Sequence, residues 1–228
     1  MRLTDTSAGG PTQPTDMDLS DMRGDYRRGE LHRADLKADP IEQFALWFEE
    51  ASRAGIREPN AMSLATVGPD GCPSLRTVLM KQFDSRGFVF FTNLESRKAR
   101  EITSNANVSL LFPWLALERQ VIIGGTVEKI STAETLAYFI KRPVDSQLAA
   151  WASHQSSVIT SRKLLEMKWE EMKRKFADGR VPLPSFWGGY RVSPRTMEFW
   201  QGRPRRLHDR FLYARQPDGA WTIERLAP

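Results

Sequence analysis

The sequence has few of the residues that build disulfides and metal sites. Cys72 is the only cysteine, and the three histidines (His32, His154 and His208) are far apart along the chain. An intrachain disulfide is therefore excluded, which suits a reducing compartment. No CxxC or HExxH pattern occurs either, so we expect no zinc site.

Long apolar runs are missing as well. No stretch of the chain approaches the ~20 apolar residues that a membrane helix needs. The N-terminus lacks the apolar core of a signal peptide. We therefore expect a cytoplasmic protein with no membrane partner. No block of five or more like charges is present, which excludes a basic or acidic tail.

Positive charge and aromatic residues, by contrast, are plentiful. The 228-residue chain has a formal net charge of +5 and contains seven Trp and twelve Phe. A basic surface is typical of nucleic-acid binding, whereas Lys and Arg inside pockets bind phosphate groups. Because the cations are scattered among apolar residues, the pattern favours phosphate pockets, with nucleic-acid binding as the alternative.

The hydrophobic pattern predicts a mainly β protein with helices, of the α+β class. Residues 1–20 are poor in large apolar side chains and are expected to be disordered, whereas residues 21–228 form one domain. Capping boxes and the helical period predict helices over 39–55, 96–104, 131–140, 145–153 and 161–176. Strands are predicted over 61–67, 74–83, 87–92, 107–112, 120–130, 189–192, 196–200, 210–214 and 221–226. Short strands joined by tight turns indicate an antiparallel sheet or barrel.

The segment RTVLMK (residues 76–81) places two cations on one predicted strand. Alternate residues of a strand share a face. Arg76 therefore points to one side with Val78, and Lys81 points to the other with Leu79. The two cations can serve two different anionic groups. The alternative is an edge strand with solvated ends.

Ser96 is a candidate N-cap that places Arg97 and Lys98 in the first turn of a helix. The helix dipole disfavours cations there unless an anion is present. A phosphate would be held by backbone N–H groups, the hydroxyl and both cations. This arrangement is the clearest physical indication of a phosphate site, and the alternative is two solvent-facing cations.

Polar side chains also gather near the next helix junctions. Tyr138 and Arg142 are four residues apart, which predicts one helix face, and Ser146 opens the following element. A guanidinium and two hydroxyls suit a phosphate, although a Tyr–Arg surface pair is the alternative. The amides of Gln120 and Gln155 can read the donor and acceptor edge of a heterocycle.

The run from Trp200 to Phe211 is dense in charge. Five of the six side chains over residues 205–210 are ionisable. Arg206 and His208 share a face if this part is extended, so Trp200 could wall a flat ring while both reach a substrate. Nucleic-acid binding, with Trp200 stacked on a base, and a charged hairpin tip are the alternatives.

These motifs, in this order and spacing, resemble the pyridoxine/pyridoxamine 5'-phosphate oxidase family. The resemblance runs from about residue 22 to 228. The motifs that carry it are RTVLMK, FFTN with SRKA, LLFPW with ERQV, RPVDSQLAAWASHQSS, PLPSFWGGYRV and EFWQG with RLHDRFLY. It implies an antiparallel, Greek-key-like split β-barrel with flanking helices that binds FMN at the interface of a homodimer.

The resemblance also implies roles for individual residues. The FMN-binding positions are matched by Arg76, Thr77, Val78, Leu79, Met80, Lys81, Phe91, Thr92, Arg97, Lys98, Gln120, Gln155, Ser156, Trp200 and Arg210. The family positions that bind the substrate phosphate are matched by Lys81, Tyr138, Arg142 and Ser146. Those that contact the substrate ring are matched by Arg206, Leu207 and His208. Arg23 and Tyr26 match an N-terminal segment that closes the site.

Four features depart from the commonest family pattern. Phe91 stands where Tyr is frequent, Met80 replaces Leu, and Val158 stands where Arg is expected. The segment 203–205 (Arg-Pro-Arg) is more basic and stiffer than expected. These departures bear on single contacts and loop mobility rather than on the assignment.

The expected reaction is FMN-dependent oxidation of pyridoxine or pyridoxamine 5'-phosphate to pyridoxal 5'-phosphate. Oxygen is the electron acceptor, hydrogen peroxide is released, and the amine also yields ammonia. Arg206 is expected to orient the substrate and stabilise developing charge, with His208 in support. A related flavoprotein with another substrate is the alternative within the fold, and a nucleic-acid-binding module is the alternative outside it.

Overall fold

The computed structural model describes residues 19–21, 24–153 and 155–228. The predicted N-terminal tail falls almost wholly outside this part of the chain, as do Arg23 and His154. The helices are α1 (Pro40–Arg53), α2 (Arg97–Ser104), α3 (Thr132–Phe139), α4 (Val144–Ala152) and α5 (Arg162–Lys175). The strands are β1 (Ala61–Val67), β2 (Pro73–Leu79), β3 (Gln82–Asp84), β4 (Gly87–Asn93), β5 (Asn107–Trp114), β6 (Arg119–Lys129), β7 (Trp187–Gln201), β8 (Asp209–Arg215) and β9 (Trp221–Leu226). Single turns of 3-10 helix occur at Arg33–Asp35, Leu115–Leu117 and Pro204–Arg206.

The predicted helices are present, and their N-termini show why they begin where they do. At α1, the Asp39 side chain accepts a hydrogen bond from the Ile41 N–H, and Pro40 occupies the first turn. At α3, Ser131 and Glu134 form the complete capping box that the sequence predicts. No helix among the described residues is both long and apolar enough to span a bilayer.

All nine strands of the described chain join one antiparallel sheet. Its main path runs β2–β1–β5–β6–β7–β4–β3, and β8 pairs with β7 and with β9. Strand β7 forks the sheet: its first part (residues 187–192) pairs with β4, its last part (196–201) pairs with β8, and β6 lies along its other side. The sheet curls so that the edge strand β2 contacts β4. The predicted mainly β, antiparallel split barrel is confirmed.

One predicted strand is wrong as a single element. Residues 74–83 form two strands, β2 and β3, with a break at Met80. Asn60 explains the break, because its backbone oxygen accepts from the Met80 N–H at 2.9 Å and its side chain donates to the Met80 oxygen at 2.8 Å. Met80, only 4% exposed, is thereby turned into the core.

Two other predicted strands are one. Residues 189–192 and 196–200 belong to β7, which continues through Pro194. A proline has no N–H to donate to its neighbour, and the pairing register shifts beside it, because β7 carries one extra residue opposite the step from Gly124 to Gly125. A Cβ on Gly125 would lie 2.3 Å from the Ser193 oxygen, so only glycine fits at this point.

Aromatic rings fill the core between α1 and the sheet. Phe44, which is fully buried, has its ring centroid 4.9 Å from those of Phe88 and Phe112. Phe83 and Trp114 complete its surroundings at 5.1 and 5.7 Å. This packing anchors α1 to the closed side of the barrel.

The Phe44→Ala substitution is expected to lower the free energy of unfolding by about 3–5 kcal/mol, because it leaves a ring-sized cavity that the surrounding rings cannot fill. The measurement is urea denaturation at one fixed protein concentration. Leu46→Ala, on the exposed side of the same helix, is the matched control and should cost about 1 kcal/mol or less. Equal losses for both variants would contradict this account of the core.

Candidate active site

An open cavity of about 630 Å³ collects many of the predicted site residues. We call it the anion cavity. The predicted residues that line it are Arg76, Thr77, Val78, Leu79, Lys81, Phe91, Thr92, Lys98, Tyr138, Arg142 and Gln155. Four of these are cations, contributed by β2 and the residues just after it, by α2 and by the turn after α3. The cavity thus combines residues that are 66 positions apart, from Arg76 to Arg142.

A buried carboxylate holds Arg76 at the wall of the anion cavity. Glu101 accepts hydrogen bonds from Arg76 (Nη2 to Oε2, 3.2 Å), Arg97 (Nε to Oε1, 2.7 Å), Ser74 (2.6 Å) and Thr66 (2.5 Å). Burial would raise the pKa of this carboxyl, but the hydrogen bonds outweigh burial and lower the pKa to about 2. Glu101 is therefore ionised at neutral pH and fixes the direction of the Arg76 side chain.

Lys98 is the most deeply buried cation of the anion cavity, at 8% exposure. Its Nζ donates to Gln155 Oε1 at 2.8 Å and to Thr92 Oγ1 at 3.1 Å. Burial, followed by the charge of Arg76, lowers the pKa of the Lys98 ammonium to about 8. Ser96 occupies the predicted N-cap position of α2, but its side chain makes no capping bond. The first-turn N–H groups are therefore not capped by a side chain.

Three stacked rings form one side of the anion cavity. The Phe91 ring lies 4.0 Å from Tyr138 and 5.3 Å from Trp187, in nearly parallel planes. Arg142 stacks over the Trp187 ring at 4.7 Å, and its buried Nη1 has no hydrogen-bond partner among the described residues. The predicted shared helix face of Tyr138 and Arg142 is wrong, because α3 ends at Phe139. A turn and the Trp187 ring bring the two side chains to the same cavity instead.

A second group of predicted residues, which we call the ring cluster, consists of Tyr26, Trp200 and His208. The His208 ring lies 4.6 Å from Trp200 and 5.5 Å from Tyr26, and Tyr26 meets Trp200 edge-on at 5.7 Å. Burial and the nearby charge of Arg206 lower the pKa of His208. Its imidazole is therefore mainly neutral at pH 7.

The loop beside the ring cluster carries Arg206 and Leu207 on the surface. Arg205 and Arg206 both have left-handed backbones, with φ of 58° and 60°. Such conformations cost a non-glycine residue of order 1 kcal/mol or more, and they occur often at functional sites. The strained backbone is consistent with a loop that holds the Arg206 side chain exposed to solvent instead of packed against the protein.

Gln120 and Arg210 flank Trp200 on the neighbouring strands β6 and β8. Arg210 is paired with Glu198 through two hydrogen bonds of 2.8 and 3.1 Å. Both predicted residues therefore lie beside the ring cluster rather than in the anion cavity.

The anion cavity and the ring cluster lie apart within one chain. From Thr77, the strand register passes through β1, β5 and β6 to Glu198, two residues before Trp200. Four strand spacings of ~4.8 Å place these two residues about 19 Å apart along the sheet.

Several predicted residues line neither place. Met80 lies in the core. The Arg97 side chain is largely exposed and pairs with Glu101. Ser156 lines a neighbouring cavity with Val158. Ser146 lies in the first turn of α4, where its N–H donates to the Pro143 oxygen. The residues that sequence reasoning missed are Thr66, Ser74, Asn93, Glu101, Ala149, Ala150, Ser153 and Trp187. Glu101 follows Arg97 by four residues on one helix, a spacing that predicts the Arg97–Glu101 ion pair.

Comparison with known proteins gives a consistent answer. The family model for pyridoxamine 5'-phosphate oxidase matches residues 48–176, and the model for the pyridoxine 5'-phosphate oxidase C-terminal dimerisation region matches residues 187–228. A pyridoxine/pyridoxamine 5'-phosphate oxidase from Rippkaea orientalis is 61% identical over 212 residues, which are 93% of this chain and 100% of that protein.

Two solved structures extend the comparison. PhzG from Burkholderia lata, in complex with tetrahydrophenazine-1-carboxylic acid, is 33% identical with a TM-score of 0.81, covering 87% of this chain and 98% of that one. A pyridoxamine 5'-phosphate oxidase-related, FMN-binding protein from Nostoc punctiforme has a TM-score of 0.68 at 18% identity, over 85% of this chain and 100% of that one. The second similarity concerns the fold.

The pKa of Lys98 predicts how the anion cavity responds to pH. Lys98 is protonated below about pH 8 and neutral above it, so a dianion must take up a proton to bind at higher pH. The affinity of the ligand-free protein for a phosphate monoester should therefore fall about eightfold between pH 7.5 and pH 9. Calorimetry at both pH values, in buffers of different ionisation enthalpy, measures the affinity and the proton uptake.

Matched variants separate Lys98 from other cations in this test. The Lys98→Met variant should bind the phosphate monoester more weakly than the wild type at pH 7.5, and its affinity should not fall between pH 7.5 and pH 9. Arg100→Met, an exposed position on the same helix, should keep the drop. A wild-type affinity that is flat over this range would contradict the role of Lys98.

Proposed function

Because the chain belongs to the pyridoxine/pyridoxamine 5'-phosphate oxidase family, we propose that it is an FMN-dependent pyridoxal 5'-phosphate synthase. It oxidises pyridoxine 5'-phosphate or pyridoxamine 5'-phosphate to pyridoxal 5'-phosphate, a reaction of vitamin B6 salvage. Oxygen accepts the electrons and hydrogen peroxide is released, with ammonia as a further product of the amine. The observation that carries the proposal is a cavity with four cations at its wall, one of which, Arg142, has a buried guanidinium nitrogen with no partner among the residues that the structure describes.

The anion cavity fits the phosphate of FMN. Lys98 is buried beside Arg76, and Ser96 makes no side-chain capping bond at the first turn of α2, so positive charge and uncapped N–H groups lie close together even though Glu101 pairs with Arg76. A phosphate stabilises such an arrangement. We assign the cofactor to Arg76, Thr77, Val78, Leu79, Met80, Lys81, Phe91, Thr92, Arg97, Lys98, Gln120, Gln155, Ser156, Trp200 and Arg210.

The other end of the anion cavity fits the substrate phosphate. Arg142 lies over the Trp187 ring, and its buried Nη1 has no hydrogen-bond partner within the described part of the chain. An unpaired buried donor is costly, and a phosphate oxygen would offset that cost. Lys81 and Tyr138 line the same cavity, and Ser146 is the fourth residue that we assign to this phosphate.

The proposed site is shared between the subunits of a homodimer. The ring cluster holds the predicted cofactor residue Trp200 and the predicted substrate residue His208, about 19 Å along the sheet from the anion cavity. A dimer in which the ring cluster of one subunit faces the anion cavity of the other would complete two equal sites. Such reciprocal contacts are what two-fold symmetry produces.

The chain's own residues bind, orient and shield the reactants. FMN, when bound, supplies the two-electron acceptor for the substrate's C4' hydride and passes the electrons to oxygen. Arg206 presents its guanidinium to the substrate ring, where it orients the ring and stabilises developing negative charge. His208 lies against Trp200, and its lowered pKa favours the neutral imidazole, which offers a polar contact without a second positive charge.

A related flavoprotein with a different substrate remains the second candidate, since the Burkholderia lata protein was solved with a tetrahydrophenazine carboxylic acid. The grouping of Lys81, Tyr138 and Arg142 in one cavity favours a phosphorylated substrate here. The phosphate is therefore the chemical feature on which the two candidates differ.

The purified protein should be yellow, with a flavin spectrum, and should release peroxide on addition of pyridoxine or pyridoxamine 5'-phosphate. Peroxide and pyridoxal 5'-phosphate are measured together, and they should appear in equal amounts. Unphosphorylated pyridoxine is the control and should react at least about a hundredfold less efficiently, because it lacks the charged group that the cavity binds. A colourless protein that is retained on nucleic acid in a salt-sensitive manner would contradict the proposal.

Substitutions in the two halves of the site should have different kinetic signatures. Arg142→Met keeps an apolar stem on Trp187 but loses a charge-assisted bond of about 1.5–3 kcal/mol, so KM should rise about 10- to 150-fold with little change in kcat. Arg206→Ala should mainly lower kcat, by about tenfold or more. Lys141→Met is the exposed control beside Arg142. A purified Arg206→Ala enzyme with wild-type kcat would rule out its catalytic role.

A further inference from the structure

Arg203 lies in the loop between β7 and β8, where its side chain joins three parts of the molecule. Its Nη1 forms an ion pair with Glu30 and donates to the Gly29 oxygen at 3.3 Å. Its Nε lies 3.5 Å from Asp209 Oδ2, at the start of β8. The side chain is only 27% exposed, so these contacts are partly shielded from water. The Arg203 guanidinium thus links the loop to the N-terminal segment, which is also held by hydrogen bonds from the Arg28 N–H to Glu118 Oε2 at 2.9 Å and from Arg225 Nη2 to the Leu31 oxygen at 3.5 Å.

The N-terminal segment held in this way (residues 24–31) carries Tyr26 into the ring cluster. Leu31 is buried and its N–H donates to Asp209 Oδ2 at 3.1 Å, which anchors the end of the segment. A Cβ added to Gly202 would lie 2.7 Å from Cγ of Tyr26, so Tyr26 packs directly on the residue before Arg203. The position of Tyr26 therefore depends on the same short stretch of loop.

The backbone of Arg203 also acts on His208. The Arg203 N–H donates to His208 Nδ1 at 3.1 Å. Because a backbone N–H can only donate, Nδ1 must accept, and the neutral imidazole then carries its proton on Nε2. The side chain of Arg203 fixes the loop from which this N–H is presented.

We propose that Arg203 is a positioning residue, which ties the N-terminal segment to the β7–β8 loop and thereby sets Tyr26 and the His208 tautomer in the active site. The kinetic part of this inference rests on the proposed function. Arg205, two residues away, is exposed, and its side chain forms no hydrogen bond or ion pair among the described residues. A positive charge in this loop is therefore not enough to position the N-terminal segment. The positioning depends on the contacts that the Arg203 side chain makes.

The test compares Arg203→Ala with the matched control Arg205→Ala in the full-length, FMN-loaded enzyme. Limited trypsin digestion followed by mass spectrometry measures cleavage after Arg27 and Arg28, which lie inside the tethered segment. Arg203→Ala should be cut there about fivefold faster, because cleavage follows the fraction of time that the segment is open. Long-range ¹H–¹⁵N spectra of the imidazoles should show a pure Nε2–H form of His208 in the wild type and a tautomer mixture in Arg203→Ala.

Steady-state kinetics give the third measurement. Arg203→Ala should lower kcat/KM about tenfold for pyridoxine 5'-phosphate, mainly by raising KM, whereas Arg205→Ala should match the wild type. Arg203→Lys keeps the pair with Glu30 but cannot reach all three partners, so it should fall between the two. Glu30→Gln removes the exposed partner and should speed the same cleavage; it serves as the second variant if Arg203→Ala does not fold.

Two results would overturn the inference. One is wild-type cleavage and a wild-type His208 spectrum in Arg203→Ala. The other is faster cleavage with an unchanged spectrum and unchanged KM, which would make Arg203 a tether with no positioning role. If the wild-type enzyme oxidises neither substrate, the proposed function fails, while the cleavage and spectroscopic measurements still decide whether Arg203 positions the segment and His208.

Discussion

Strand β7 is the constraint on which the rest of the molecule depends. Its first residue, Trp187, stacks in the anion cavity, and Trp200, near its other end, lies in the ring cluster. Thirteen positions separate the two tryptophans, which lie near opposite ends of this long strand. Pairing with β6 along most of its length keeps the two ends of the strand apart. This explains why the proposed site takes its two halves from two subunits.

Within the anion cavity, four positively charged side chains lie close together, and their hydrogen bonds and ion pairs fix how they are oriented. The Glu101 carboxylate forms ion pairs with both Arg76 and Arg97, and its four hydrogen bonds keep it ionised. Lys98 forms no ion pair with a carboxylate among the described residues, and burial, followed by the charge of Arg76, lowers its pKa to about 8. The buried Nη1 of Arg142 is a second uncompensated donor. A phosphate that enters the cavity meets groups that are already oriented, so little reorganisation is needed on binding.

Local rules predicted much of this protein. The capping box at Ser131 follows from local hydrogen bonding and is present in the structure. The predicted opposite faces of Arg76 and Lys81 on one strand are wrong, because the strand ends before Lys81 and both residues line the anion cavity. Long-range contacts produced the errors. The predicted strand over 74–83 breaks because Asn60, twenty residues earlier, binds both backbone groups of Met80. Glu101 was missed as a site residue because the partners that matter most, Thr66 and Ser74, come from other elements.

The sequence by itself determined the secondary-structure classes, the phosphate-binding residue types and the family, because each depends on local spacing and on motifs. Only the tertiary structure decided where those residues meet. It separated Trp200 and His208 from the anion cavity, brought Trp187 beneath Arg142, and gave Arg203 three partners of which two, Gly29 and Glu30, lie more than 170 positions away. The physical reason is that cross-strand register and side-chain packing join residues without regard to their distance along the chain.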